Sequence, residues 1–348
     1  ALLLSYLYFI ISEHIDNLQV RSLSGFDVSL YRFYKNDLAS GVTEEEIRKD
    51  LAYYFLQFTA IGNYWNQPVF LGGCKEDEST EINELSYLFL DVYDKMKIYN
   101  PKIQIKVADS TPKEFLLKAL DMIRRGNNSI VFVSDATIRK ALVRAGATEA
   151  QARLCNVKGC YEYAIQSSME CEMNYLNLLK PLEYVLHGGF DGITGKFALL
   201  KSPEVNRFTT FDAFYEEYKK QLCTVIDATI ETVNTYEDYL AYINPQSLLS
   251  ATIKTSIENK KDAYEGGGIV NRSTICPGFA ADMADSLTMI KKYVYDRKEL
   301  SLREFVDILD KNYEGNEIFR MKLLSDKEKF GNEIEIKVSD LKNPVNHI

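Results

Sequence analysis

A cysteine and a glutamate flank Tyr161 in "LCNVKGCYEYAIQS", the stretch from Leu154 to Ser167, and Gly159 stands directly before the cysteine. The stretch has no clear helical or strand period and reads as an irregular loop. In an extended or irregular segment residues i and i+2 point the same way, with a rise of roughly 3.3 Å per residue. The side chains of Cys160 and Glu162 could therefore flank one small substrate. A Cys-x-Glu taken alone is more often a buried structural cysteine beside an exposed glutamate. A thiolate nucleophile needs a cation or imidazole to lower its pKa, and this neighbourhood offers Lys158 locally and His187 only far along the chain. Ionic thiol chemistry is disfavoured. One-electron chemistry has other needs: a cysteine that carries a hydrogen atom must be shielded and positioned, and a nearby carboxylate can move the proton that the radical step makes acidic.

Other candidate groups offer less. His14, His187 and His347 match no metal-ligand spacing. Cys155, Cys160 and Cys171 could in principle hold a metal or an iron–sulfur cluster, but their spacings fit no standard pattern. "EGGGIVNR" lacks the Lys-Ser/Thr pair of a phosphate loop and the spacing of a dinucleotide fingerprint, so its glycines are read as tight turning or close backbone approach. No metal site and no cofactor-binding residue is expected.

The elements that must position this pair follow from the whole chain. Its 348 residues, 46% of them hydrophobic, are enough for one large domain or two ordinary ones. A net charge of −9 argues against a nucleic-acid partner, which would demand clustered Lys and Arg. Six scattered cysteines with no CxxC pair favour reduced thiols in a cytoplasm. The opening run "ALLLSYLYFII" is too short to span a bilayer and is read as a buried helix.

Strong local signals mark several elements. Thr43 and Glu46 form a capping box ahead of an apolar stripe, and "QPVFLGG" reads as a short strand ended by glycines. "KIQIKVAD" has period two, and "STPKEFLLKALDMIRRG" is a helix with Thr111 as cap, Pro112 at the first position and Gly126 as the stop. "NNSIVFVS" reads as a buried strand, Asp135 as the cap of the next helix, and Thr148 with Gln151 as the start of another. Alternating strand and helix implies an α/β fold. "SSMECEMNYLNLLKPLEYVLHGG" reads as a helix bent at Pro181, residues from about Pro203 to Asn259 as long amphipathic helices, and "YEGGGIVNRSTICPGFAAD" as a turn and strand. No linker divides the chain, so 1–348 is taken as a single domain with a catalytic loop at about 155–168.

The Gly-Cys-x-Glu motif and its context together resemble the glycyl radical enzyme superfamily, in its lyase and dehydratase branch. "SLYRFYKNDLASG", "FLGG" followed by "LSYLFLDVYDKMKIYNPKI", "TPKEFLLKALDMIRRGNNSIVFVSD", "NYLNLLKPLEYVLHGG", "ADSLTMIKKYVYD" and "KEKFGN" occur in the order the family's barrel expects, from about Ser24 to Asn332. The resemblance implies an α/β barrel, pyruvate formate-lyase-like, with Cys160 on an internal loop and helices wrapped around it. It implies that Cys160 becomes a thiyl radical and that Glu162 is the general base. Gly159 stands where pyruvate formate-lyase has a second cysteine, which disfavours that activity. Trp65, before the "QPVFLGG" strand, and Tyr175 are candidates for lining the substrate pocket, with burial as core aromatics the plainer alternative.

The resemblance also implies a radical held on a glycine in a C-terminal segment, and no such segment follows "KEKFGN". Either the chain is a fragment or the radical glycine is on another chain; by itself the chain is expected to be inactive, and the glycyl radical would be installed by a radical S-adenosylmethionine activating enzyme. The expected activity is elimination of water or an amine from a small substrate. Decarboxylation of an aromatic acid is one alternative, and a degenerate barrel acting as a binding or scaffold protein is another. A homodimer is left open, and neither a membrane nor a nucleic acid is an expected partner.

Overall fold

The computed structural model describes residues 1–17, 23, 25–61, 68–158 and 162–332, with only the backbone described at 158 and 170–173. In chain order the first elements are α1 (Leu2–Ile15), α2 (Phe26–Ala39), α3 (Glu44–Ile61), β1 (Val69–Gly72), α4 (Glu84–Met96), β2 (Ile103–Val107), α5 (Lys113–Arg124) and β3 (Ile130–Ser134). They are followed by α6 (Asp135–Arg144), α7 (Glu149–Arg153), β4 (Cys155–Lys158), β5 (Glu162–Ile165), β6 (Met169–Asn177), α8 (Lys180–Leu186), β7 (Phe190–Asp191) and β8 (Lys196–Phe197). The last are α9 (Phe211–Ile243), α10 (Ser247–Ser250), α11 (Lys254–Asn259), β9 (Asn271–Gly278), α12 (Ala280–Ile290), α13 (Leu302–Asp310) and α14 (Glu317–Ser325). Two compact units result, Ala1–Cys171 with Glu237–Arg272 and Glu172–Tyr236 with Ser273–Ile348. The division runs through β6 and α9, where no sequence linker would mark it.

The first unit is built on a parallel sheet in the order β1-β2-β3, in register Val69↔Ile103↔Ile130. The helices α4 and α5 connect its strands, the usual way to join parallel neighbours. The period of two along each strand sorts side chains to two cores. Val69, Leu71, Ile103, Ile105 and Ile130 join Phe55, Phe58, Phe89, Tyr93 and Phe115 on one face. Phe70 and Val133 face the other way, packing with Ile138, Leu142, Ala152, Cys155, Val157 and Ile165. On that second face β2 contributes Gln104 and Lys106, both buried.

Helix boundaries follow the capping signals with small shifts. The backbone N–H of Glu46 donates to Thr43 Oγ1 at 3.3 Å and the Glu46 carboxylate accepts from the Thr43 N–H at 2.8 Å, as the capping box expects. The helix α5 begins at Lys113 with Pro112 as its cap, because Thr111 Oγ1 is engaged by the Ala108 N–H at 2.9 Å. Ser134, and not Asp135, caps α6: its Oγ accepts from the Thr137 N–H, which leaves Asp135 as the first helical residue.

The opening run does form a helix, yet it is buried only along one stripe. Phe9 is buried, while Leu3 and Leu4 are 69% and 73% exposed. A helix apolar on all sides can turn only part of its circumference toward one core. The glycines of "EGGG" serve close approach: a Cβ on Gly267 would stand 2.2 Å from Ser256 Oγ, and one on Gly268 would stand 3.0 Å from the Met169 nitrogen.

In the second unit Val185, Phe214, Tyr218, Ile290, Tyr293 and Val306 centre the core. The chain from Met169 to Asn177 is a strand here and not the first half of a helix, since β6 pairs with β9. The helix expected across that stretch is confined to α8, with Pro181 in its first turn. Of the long helices expected from Pro203 to Asn259, α9 is the long one and α10 and α11 are short.

Candidate active site

The residues on either side of Cys160 form an antiparallel hairpin. Thr148 opens α7 with a capping box to Gln151, and the chain passes from α7 directly into β4. The register pairs Cys155 with Ile165, Asn156 with Ala164, Val157 with Tyr163 and Lys158 with Glu162. On either side of the motif the expected irregular loop is thus a pair of strands, each of four residues and so too short for its alternation to stand out as a period. A further bond from the Gln166 N–H to the Leu154 carbonyl at 3.0 Å extends the ladder at its base.

Alternation divides the hairpin into two faces. Cys155, Val157 and Ile165 are buried in the core below the sheet. Asn156, Glu162 and Ala164 fall on the opposite face by register. Glu162 is half-buried there. Cys160 and Trp65 lie outside the described residues. Tyr175 lies on β6, not on a helix, in the second unit, and is 73% exposed.

The root of the hairpin is held by a group that the sequence reading did not single out. The Lys106 ammonium donates to the carbonyl oxygens of Arg153 at 3.0 Å and Cys155 at 2.9 Å, and stands 3.1 Å from Asp135 Oδ1. Those three acceptors match the three N–H donors of an ammonium group. Both side chains are almost wholly buried, 5% exposed for Lys106 and 2% for Asp135. Removing one partner of a buried pair of this kind costs about 3–5 kcal/mol, because the other is left without its counter-charge. Space for the lysine stem comes from Gly73, where an added Cβ would stand 3.1 Å from Lys106 Cε and where the backbone has φ +108°.

A second layer surrounds this pair. Arg139 Nε stands 2.8 Å from Asp135 Oδ2. Glu78 accepts from both terminal nitrogens of Arg139 at 3.1 Å and from Arg153 Nη2 at 2.6 Å, and Arg153 Nη1 donates to the Lys75 carbonyl at 3.2 Å. The two guanidinium groups hold the Glu78 carboxyl down at about 2. Burial, with the neighbouring Asp135 carboxylate, pushes the Cys74 thiol up to about 12. Burial raises Cys155 to about 11 against the opposing charges of Lys106 and Arg272. Both thiols therefore keep their hydrogen at neutral pH and neither is a ready thiolate nucleophile. No disulfide joins the described cysteine side chains, Cys74, Cys155, Cys223 and Cys276.

The signal for Lys106 was present in "KIQIKV". A parallel strand covered on both faces is usually a continuous apolar run, so Gln104 and Lys106 alternating with isoleucines in such a strand mark polar groups that must find partners inside.

Residues 1–339 match the pyruvate formate lyase-like family. This chain belongs to it. It is 30% identical over 329 residues to trans-4-hydroxy-L-proline dehydratase of Clostridioides difficile, an alignment covering 88% of this chain and 41% of that protein. It superposes on hydroxyproline dehydratase from Clostridioides difficile, solved with substrate bound, with a TM-score of 0.79 at 29% identity, over 85% of this chain and 40% of that one. The B12-independent glycerol dehydratase from Clostridium butyricum gives a TM-score of 0.81 at 25% identity, over 90% and 41%. The α/β fold and the likeness to glycyl radical enzymes read from the sequence are borne out. The chain spans about two fifths of the length of these relatives. Among the described residues no helix is long and apolar enough to cross a membrane.

Proposed function

We propose that this chain is the part of a glycyl radical lyase or dehydratase that carries the hydrogen-atom carrier, Cys160, and the proton carrier, Glu162. The observation that supports the reading most is the position of the motif in a chain of this family: Gly159, Cys160 and Tyr161 join two paired strands, and Glu162 is the first residue of the second. A hairpin gives such residues a fixed backbone on both sides, which a catalytic pair requires.

In this reading a substrate C–H bond breaks homolytically and an S–H bond forms on Cys160, leaving a carbon-centred radical. Glu162 takes the proton of a hydroxyl or amino group on that carbon, whose acidity the radical raises. The C–O or C–N bond at the next carbon breaks with its electron pair going to the leaving group, which picks up a proton and departs as water or an amine. Cys160 then returns its hydrogen atom to the product radical, so substrate is converted to a carbonyl or imine product and the leaving molecule with no net oxidation. The glycyl radical of the complete enzyme, installed by a radical S-adenosylmethionine activating enzyme, supplies the unpaired electron that the Cys160 sulfur needs. The similarity to two dehydratases favours water as the leaving group. Trp65 stays a candidate for lining the pocket.

The test uses the full-length protein activated without oxygen and supplied with trans-4-hydroxy-L-proline and with glycerol. Cys160→Ser is expected to abolish turnover while the glycyl radical signal persists in electron paramagnetic resonance, since a serine O–H bond is too strong to give its hydrogen to a glycyl radical. Near-normal turnover would show that Cys160 is not the hydrogen-atom carrier.

A further inference from the structure

The face of β2 that looks toward the hairpin carries an ammonium group where packing alone would favour a methyl, and the groups that satisfy it are informative. Two of its three partners are main-chain carbonyls at the root of β4, those of Arg153 and Cys155. Asp135, the third, begins α6 directly after β3. One side chain from the middle strand of the sheet thus ties together the end of the third strand, the end of α7 and the start of the strand that leads to Cys160. The contacts are to backbone oxygens, so they fix where the strand starts whatever side chains it carries. Four residues separate Cys155 from Cys160, and the first three of them continue the same strand.

We propose that Lys106, held by Asp135, is a positioning residue for the chemistry of this protein: it sets the register and height of the β4–β5 hairpin and thereby the place of Cys160 and Glu162. The proposal rests on the reading of those two residues given above. Lys106 touches no reacting atom in this scheme. Its effect is carried through the β4 backbone, and a displacement of about 1 Å at a reacting centre is enough to cost on the order of a hundredfold in rate. The outer ring of Arg139, Glu78 and Arg153 holds Asp135 and the end of α7 and so keeps the lysine's acceptors in place.

The experiment compares Lys106→Met with the double variant Lys106→Met, Asp135→Asn in the full-length protein, the second removing the carboxylate charge that the first leaves buried. Amide hydrogen exchange is followed in 155–158 and 162–165 and, as the internal reference, in 69–72, 103–107 and 130–134. At least a tenfold faster exchange in the hairpin, with the reference strands unchanged, is expected in whichever variant folds. In the activated enzyme kcat is expected to fall at least tenfold, with KM within about threefold and the radical signal unchanged. Hairpin exchange that stays at the wild-type rate in a folded variant overturns the proposal. So does exchange that rises equally in hairpin and sheet, which would make Lys106 a contributor to general stability. So does a loosened hairpin with undiminished kcat. The exchange arm needs no turnover, so a failure of the Cys160 assignment, seen as turnover by Cys160→Ser, is told apart from a failure of the lysine anchor.

Discussion

Glu162 occupies the first position of β5, across the ladder from Lys158 and on the face turned away from the apolar cluster of Cys155, Val157 and Ile165. A carboxylate placed there can exchange protons with a ligand without first leaving a hydrophobic site. If it is the general base of an elimination, replacing it by the isosteric amide leaves the hairpin intact and removes only the capacity to carry a proton. Glu162→Gln is expected to keep the glycyl radical signal and to lower kcat by roughly a hundredfold or more. A Glu162→Gln enzyme of undiminished rate would leave the hydrogen-atom role of Cys160 standing and take the proton role from Glu162. The other thiols of the region behave differently by environment: Cys74 and Cys155 are buried, and burial holds their hydrogens in place up to about pH 12 and pH 11. The local chemistry is therefore arranged to retain S–H bonds and not to ionise them.

At the level of elements, the loop from β1 to α4 is clamped to α6 and α7 by one carboxylate. Glu78 pairs with Arg139 on α6 and Arg153 at the end of α7, and these two guanidinium groups lower its pKa in the fold from 4.5 to about 2. A lowered carboxylate pKa means that between those values the unfolded chain binds the proton and the folded chain does not. Stability from this clamp is full above pH 4.5 and is lost as the pH falls through 2. Glu78 is 56% exposed, so solvent screening keeps the effect modest. Urea unfolding of wild type and Glu78→Gln from pH 6 down to pH 2 should show a gap that narrows toward the acid end. A gap that stays constant across the range would mean that the clamp acts by shape and not by charge. Elements announced by local chemistry were legible in the sequence: the boxes at Thr43 and Thr148 act as read, and "QPVFLGG" and "NNSIVFVS" are strands of the sheet. Elements defined by distant partners were not. Met169, Met173 and Leu176 recur at a helical spacing, yet the segment is a strand because β9, about a hundred residues on, supplies its ladder.

At the scale of the whole molecule, α/β class and family were readable because they rest on the order of many segments, each weakly specific. The buried ion pair was harder to read because Lys106 and Asp135 are unremarkable residues until the parallel sheet puts one face of β2 against the hairpin. The same holds for the long-range closure of the first unit. Asp16 is fully buried at the end of α1, and its two carboxylate oxygens accept from the Leu248 and Leu249 N–H groups at 3.1 and 2.8 Å. Its own carbonyl accepts from the Gln246 side chain at 3.0 Å. The first helix of the chain thus provides the N-terminal cap of α10, more than two hundred residues later, and bridges the two sequence segments that make up this unit. Nothing in "SEHIDNLQV" announces that partner, since a cap read from sequence is sought next to the helix that it serves. Asp16→Ala leaves two buried N–H groups without acceptors and is expected to cost about 2 kcal/mol, toward the upper end for a lost cap. Asp16→Asn, which keeps one oxygen acceptor, should lose less. The decisive measurement is amide exchange at Leu248 and Leu249 beside that of β1: a cap that closes the unit protects those two amides, so Asp16→Ala should speed their exchange while the sheet is unaffected. Unchanged exchange at both amides would show that α10 is held by the packing of Leu249 alone and that the carboxylate is incidental to it.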